Sequence, residues 1–140
     1  MGGGSSIDAA KVANLYSCYP PNDFLGYINK PTGKGLPIPG DLKPSFAIPT
    51  TARTGSETSG NATFELIDLG LKTAISHRHL KPTLGIVDPE NTKAIPALVA
   101  ASSGLNVLTH AIESYMAMPF NQRPRLERPI LALHIRDRAQ

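Results

Sequence analysis

The first eighteen residues combine a glycine-rich start with apolar positions at helical spacing. Three glycines and Ser5 precede a set of apolar residues that recur every three to four positions: Ile7, Ala10, Val12, Ala13 and Leu15. This pattern predicts a tight turn followed by an α-helix that begins at about Ser5. The free N–H groups and positive dipole end of such a helix suit a phosphate, and we expect Asp8 in its first turn. Met1-Gly2 with Ser6 also matches an N-myristoylation pattern, which is the alternative interpretation.

A short apolar run, Phe46-Ala47-Ile48, ends at Pro49 and predicts a buried strand. The residues that follow are small and mostly carry hydroxyl groups: Thr50, Thr51, Thr54, Gly55 and Ser56. A buried strand that ends in such residues is typical of a ligand loop at the carboxyl edge of a sheet, where open α/β folds bind nucleotides. An ordinary Ser/Thr turn is the alternative.

The middle of the chain predicts three further strands. Residues 62–67 and 73–76 are strand-like runs with Leu69-Gly70 in the turn between them. Residues 83–87 are apolar and β-branched, which is typical of a buried parallel strand.

Other parts of the chain predict loops and surface positions. Residues 16–44 are rich in Pro, Gly and Asn, and predict a long surface connection that is either functional or poorly ordered. His77 and His79 flank Arg78 without a third ligand nearby, so they predict surface residues rather than a metal pair. Lys72, taken alone, predicts a solvated strand end.

The C-terminal third predicts two helices. An alanine-rich pattern covers residues 96–103 and is expected to break at Gly104, and a second helix covers residues 105–118. Asn106 and His110 are four residues apart in the second helix and therefore share a face. Taken alone, His110 reads as a half-buried histidine bonded to a neighbour.

Composition and charge exclude several classes of protein. The chain has 140 residues, of which 41% are hydrophobic and 18% charged, as in a single globular domain. Neither a membrane span nor a signal peptide is predicted. The single Cys18 excludes an internal disulfide. The net charge of +3 resides in residues 119–140, so the rest of the chain gives no electrostatic argument for nucleic-acid binding.

Four motifs together resemble the iron-containing (group III) alcohol dehydrogenases. They are G-G-G-S-S-I-D-A-A-K, A-I-P-T-T-A-R-T-G-S-E, V-D-P-E and S-G-L-N-V-L-T-H-A-I-E-S-Y, in the family's order. Within that family, L-K-P-T-L-G-I-V-D-P is most similar to the hydroxyacid–oxoacid transhydrogenase group. The resemblance implies an α/β fold with an incomplete Rossmann-like parallel-sheet nucleotide-binding domain over residues 1–95. The first helices of an all-α metal-binding domain would follow over residues 96–118, and residues 119–140 predict a basic, disordered tail.

The resemblance also implies roles for individual residues. The predicted cofactor is NAD(P), bound by three groups of residues in sequence order: Gly3, Gly4 and Ser5 at the pyrophosphate, Thr50, Thr51 and Thr54 at the adenine and ribose, and Lys72 near the nicotinamide ribose. Arg53 replaces a small residue of the family, and would be strained if that position needs a positive φ.

Asn106 and His110 match two positions that bind a divalent metal, Fe²⁺ or Zn²⁺, in the family. Asn106 stands where the family has Asp. Its amide carries no negative charge, so weaker metal binding is expected.

By this resemblance the chain is part of an oxidoreductase that transfers a hydride between NAD(P) and an alcohol or hydroxyacid, with the metal as Lewis acid. The transhydrogenase version would use 2-oxoglutarate as the acceptor, and this chain alone is expected to be inactive. The alternatives are a non-catalytic nucleotide-binding remnant and a partner-dependent unfolded fragment with a basic tail. The expected location is the mitochondrial matrix if the transhydrogenase similarity holds, and the cytoplasm otherwise. Neither a specific nucleic acid nor a membrane is expected as partner, and members of the family are often homo-oligomeric.

Overall fold

The computed structural model describes residues 1–122. In chain order its helices and strands are α1 (Gly4–Cys18), β1 (Phe46–Ala47), β2 (Asn61–Leu66), β3 (Leu71–Ser76), β4 (Leu84–Gly85) and α2 (Ala97–Met116). The predicted α/β class is confirmed. The chain divides into a unit Met1–Val107 and a second unit that begins at Leu108, inside α2. The basic tail predicted over residues 119–140 lies outside the described residues from position 123 onward.

β1 lies at the centre of a small parallel sheet. Its Ala47 carbonyl accepts a hydrogen bond from the Ile86 N–H at 2.9 Å, and its neighbour Ile48 accepts one from the Gly2 N–H at 3.0 Å. Because successive carbonyls of a strand point to opposite edges, the Gly2 segment and β4 flank β1 on its two sides. The β1–β4 register is Phe46 with Leu84 and Ala47 with Gly85.

The predicted burial of these parallel strands is wrong in part. Ala47 is buried, but Phe46 is 65% exposed, Leu84 48% and Val87 67%. The reason is their length: two paired residues per strand offer too little surface to organise a core, which forms elsewhere in the molecule.

β2 and β3 form an antiparallel hairpin, with Asn61 opposite Ser76 at one end and Leu66 opposite Leu71 at the other. Gly70 closes the turn with a left-handed φ of 57°, which residues other than glycine adopt at a cost. The two strands and the Leu69-Gly70 turn predicted here are confirmed.

The hydrophobic core packs α1 against this hairpin. Its buried members are Leu15, Tyr27, Ile28, Ile38, Ala62, Ile75 and Leu80. Three of them come from residues 16–44, so this long connection is a packed part of the fold rather than a surface loop. Its apolar side chains fill the space that the short hairpin and α1 leave open.

α2 is one continuous helix from Ala97 to Met116, so the break expected at Gly104 is wrong. An interior glycine costs a helix only about 1 kcal/mol relative to alanine, which the surrounding helix formers offset. Within residues 1–122, no helix combines the length and the apolar character that a bilayer crossing requires.

Candidate functional site

Two loops meet at the carboxyl edge of the parallel sheet: residues 2–5, called the glycine turn, and residues 50–59, called the threonine loop. The Thr50 N–H donates to the Gly2 carbonyl at 3.0 Å, which continues the parallel bridge between Gly2 and Pro49. A β-carbon at Gly3 would lie 3.6 Å from the methyl and hydroxyl of Thr51. The structure therefore brings together the two loops that the sequence predicted separately.

Space between the loops is narrow at the start of α1. A β-carbon built on Gly4 would lie 3.2 Å from the Ser56 hydroxyl, which is closer than most such contacts. The glycine at this position thus allows the threonine loop to approach the helix start.

The helix start has unsatisfied donors. The first intrahelical bond runs from the Ile7 N–H to the Gly3 carbonyl at 3.1 Å, and the N-cap Gly3 offers no side-chain acceptor. The N–H groups of Gly4, Ser5 and Ser6 have no carbonyl one turn before them within the helix, so they carry the positive end of its dipole. This arrangement fits an anionic group such as a pyrophosphate.

The predicted threonines differ in exposure. Thr50 and Thr51 are half-buried beside the glycine turn, while Thr54 is exposed further along the loop. Arg53 is exposed and, like every non-glycine residue among positions 1–122, has no positive φ. The strain considered for Arg53 is therefore absent.

Asp8 and Lys11 form a buried pair that the sequence analysis did not identify. Asp8 is 9% exposed and Lys11 4%, and the Lys11 ammonium lies 3.3 Å from a carboxylate oxygen of Asp8. Burial lowers the pKa of Lys11, and the Asp8 carboxylate opposes that shift. Asp8 thus lies beyond the first helical turn and pairs with Lys11, contrary to its predicted place at the dipole. The signal in the sequence was that both residues lie on the helix face of Ile7 and Leu15.

Lys72 lies on β3 opposite Glu65, and its side chain is exposed on the outer face of the hairpin. It lines a shallow surface depression with Lys30 and Thr63. None of the predicted glycine-turn or threonine residues lines that depression. A role for Lys72 near the nicotinamide ribose stays a prediction.

Asn106 and His110 both belong to α2. Asn106 is half-buried, and His110 is exposed rather than half-buried. Among residues 1–122 there is no group of three His, Cys, Asp or Glu side chains that would hold a metal ion. The described residues therefore do not make a metal centre by themselves, and the assignment of these two ligands stays a prediction.

His77 and His79 are half-buried, which corrects their predicted surface position. Their rings stack with centroids 4.9 Å apart, and Nδ1 of His79 lies 2.8 Å from a carboxylate oxygen of Asp41. Burial lowers the pKa of His77, and the neighbouring His79 and Arg78 lower it further.

Comparison with known proteins identifies similar sequences and structures. The family model described as iron-containing alcohol dehydrogenase matches residues 1–89. A probable mitochondrial hydroxyacid-oxoacid transhydrogenase of Dictyostelium discoideum is 57% identical over 129 residues, which cover 88% of this chain and 24% of that protein. The mitochondrial hydroxyacid-oxoacid transhydrogenase of Bos taurus is 54% identical over 123 residues, covering 88% and 26%.

A similar solved structure is sulfoacetaldehyde reductase from Bifidobacterium kashiwanohense in complex with NAD⁺. It has 35% sequence identity and a TM-score of 0.73, and the match covers 86% of this chain and 31% of that one. The chain spans about a quarter of the length of the curated relatives it matches.

Proposed function

This chain belongs to the iron-containing alcohol dehydrogenase family, and we propose that it provides the dinucleotide-binding part of an oxidoreductase acting on an alcohol or hydroxyacid. The observation that carries the proposal is the contact between the glycine turn and the threonine loop. It lies at the carboxyl edge of parallel strands, where open α/β sheets bind nucleotides. The NAD⁺ complex of the Bifidobacterium kashiwanohense reductase supports the same cofactor class.

In this proposal each loop recognises a different part of NAD(P). The backbone N–H groups at Gly3, Gly4 and Ser5 bind the pyrophosphate, because the uncapped start of α1 supplies donors and a positive dipole end. The hydroxyls of the threonine loop, from Thr50, Thr51 and Thr54, line the adenine and ribose side.

Lys72 is proposed to lie near the nicotinamide ribose. The cofactor accepts or donates the hydride, and the contribution of these residues is to bind and orient it.

The metal-binding proposal is narrower. Asn106 and His110 are proposed as two ligands of Fe²⁺ or Zn²⁺. Among residues 1–122, no group of three His, Cys, Asp or Glu side chains completes such a site. The neutral amide of Asn106 would make such a site weaker than one with a carboxylate.

The finer proposal is a hydroxyacid–oxoacid transhydrogenase, supported by the identities of 54% and 57% to relatives of that name. The proposed hydride acceptor is 2-oxoglutarate. A mitochondrial location is proposed from the same names. We expect nucleotide binding without turnover from this chain alone, because the neutral amide of Asn106 would weaken the metal site. A non-catalytic nucleotide-binding protein is the second candidate, favoured by the neutral Asn106 in place of a charged ligand.

The test is NADH binding by the purified chain, followed by fluorescence and by the shift of its melting temperature. Gly4→Val would place a branched side chain against Ser56 and over the helix start, and we expect it to weaken binding about tenfold or more, which corresponds to about 1.4 kcal/mol. Ala13→Val, at an exposed position of the same helix, is the matched control and should bind like the wild type. A folded wild-type chain that neither binds NADH nor gains stability from it would rule the proposal out.

Catalysis is tested separately. Wild-type chain that binds NADH is supplied with 2-oxoglutarate and Fe²⁺ or Zn²⁺, and oxidation of NADH is followed by absorbance. Turnover would contradict the expected inactivity of the chain alone, and it would favour the enzyme over the non-catalytic candidate.

A further inference from the structure

The side chain of Lys11 crosses from α1 to the end of the threonine loop. Its ammonium donates to the Asn61 carbonyl at 2.7 Å, the Ser59 carbonyl at 3.0 Å and the Ser59 hydroxyl at 3.3 Å. All three acceptors lie about fifty residues further along the chain. Lys11 therefore fixes where the loop ends and β2 begins.

The charge of Lys11 is balanced inside the protein. One carboxylate oxygen of Asp8 contacts the ammonium, and the other accepts a hydrogen bond from the Thr63 N–H at 3.1 Å. Glu57, in the threonine loop, also attracts the ammonium. A buried cation with a counterion and backbone acceptors can hold two chain segments in one arrangement, since each broken bond would leave a buried polar group unsatisfied.

The other end of the threonine loop is held by backbone hydrogen bonds. Gly2 donates to Ile48 and accepts from Thr50, each at 3.0 Å. The segment that contains α1 thus holds both ends of the loop, through Gly2 at one end and Lys11 at the other. Between them Ser56 lies against Gly4, and a β-carbon at Gly85 of β4 would lie 3.2 Å from Glu57, so the loop is enclosed from the β4 side as well.

We propose that Lys11 is a positioning residue for the dinucleotide site. Its bonds to Ser59 and Asn61 keep the threonine loop against the glycine turn, so that Thr51 stays beside Gly3. Lys11 holds the threonine loop in this position without contacting the cofactor. This inference rests on the function proposed above, but its effect on the loop is measurable without any nucleotide.

The first measurement is loop mobility, read from limited proteolysis with trypsin. Arg53 is exposed in the threonine loop, and Lys34 is an exposed reference site in the long connection. The variant is the double substitution Asp8→Asn, Lys11→Met, which removes both buried charges and leaves no lone carboxylate behind. We expect cleavage after Arg53 to accelerate several-fold relative to cleavage after Lys34.

The second measurement is the Kd for NADH at a temperature where circular dichroism shows each variant to be folded. The double variant should bind about tenfold more weakly, the loss expected for one or two charge-assisted hydrogen bonds. The single variant Lys11→Arg keeps the charge and the donors. Its rate of cleavage after Arg53 and its Kd for NADH should therefore lie close to the wild-type values. Lys93→Met, which removes an exposed lysine paired with Glu90, is the control and should change neither.

The outcomes separate this inference from the proposed function. A wild-type chain that does not bind NADH, combined with faster cleavage after Arg53 in the double variant, would refute the nucleotide function and leave only the holding of the threonine loop by Lys11. A folded double variant with wild-type cleavage and wild-type affinity would overturn the inference. An unfolded double variant would overturn it too, because Lys11 would then hold the whole fold rather than the loop.

Discussion

Asn29 and Ser76 hydrogen-bond to each other in both directions. The Asn29 amide donates to the Ser76 hydroxyl at 2.9 Å, and the Ser76 N–H donates to the Asn29 side-chain oxygen at 3.2 Å. The Asn29 N–H also donates to the Ala74 carbonyl at 2.9 Å. The long connection therefore pairs with β3 along the edge that faces away from β2.

Asn29→Ala is expected to destabilise the fold. The substitution removes both side-chain bonds and leaves the Ser76 N–H without its acceptor, at a cost of about 1–2 kcal/mol. The free energy of unfolding from urea titration measures this. The exposed Asn22 provides the control, since Asn22→Ala should shift the midpoint very little. Equal effects of the two substitutions would show that the connection is not held at this point.

Two glycines should respond to alanine in opposite directions. A β-carbon at Gly70 or at Gly104 would meet nothing within 4 Å, so neither substitution causes a clash. Gly70→Ala forces alanine into a left-handed φ of 57° and should cost about 1 kcal/mol. Gly104→Ala lies inside α2 and should gain up to about 1 kcal/mol. Thermal melts of both variants test this, and a shift of the same sign in both would contradict it.

His77 should make the fold less stable in acid. Burial lowers its pKa below the ordinary value of 6.5. As the pH falls below 6.5, the unfolded chain takes up a proton that the folded chain resists, so stability falls until the folded pKa is reached. Protonation also removes Nδ1 as the acceptor of the His79 N–H.

The measurement compares urea midpoints at about pH 7.5 and about pH 5.5, on either side of the ordinary histidine pKa. His77→Asn keeps an acceptor but does not titrate, so it should lose less stability on acidification than the wild type. The same substitution at the exposed His110 is the control. If His77→Asn loses as much stability as the wild type, the acid sensitivity comes from other groups.

The sequence predicted those parts of the fold in which local pattern and local structure agree. The hairpin followed from two strand-like runs around Leu69-Gly70, and α1 followed from helical spacing after glycines. The residues predicted the glycine turn and the threonine loop as separate features, and only the family resemblance, which assigns both loops to one cofactor, implied that they meet.

Other features depend on contacts between distant residues that no local pattern records. Tyr27, Ile28 and Ile38 are core residues, yet they lie in a segment whose prolines and glycines hide any periodicity. The position of Lys11 on the helix face of Ile7 and Leu15 indicates burial, but no local pattern identifies its distant acceptors, because backbone carbonyls are carried by every residue. Gly104 does not interrupt α2, because the residues on either side of it favour helix and offset the cost of one glycine.

The unequal lengths of the two sheets set how readily each opens. The hairpin pairs six residues per strand beside the core, whereas β1 and β4 pair two each. Amide hydrogens of β2 and β3 should consequently exchange with solvent slowly, while those of the parallel strands exchange through frequent local opening. The proposed cofactor site thus adjoins the parallel strands, which open more readily. Nucleotide binding should therefore slow amide hydrogen exchange mainly in the parallel strands and barely in the hairpin.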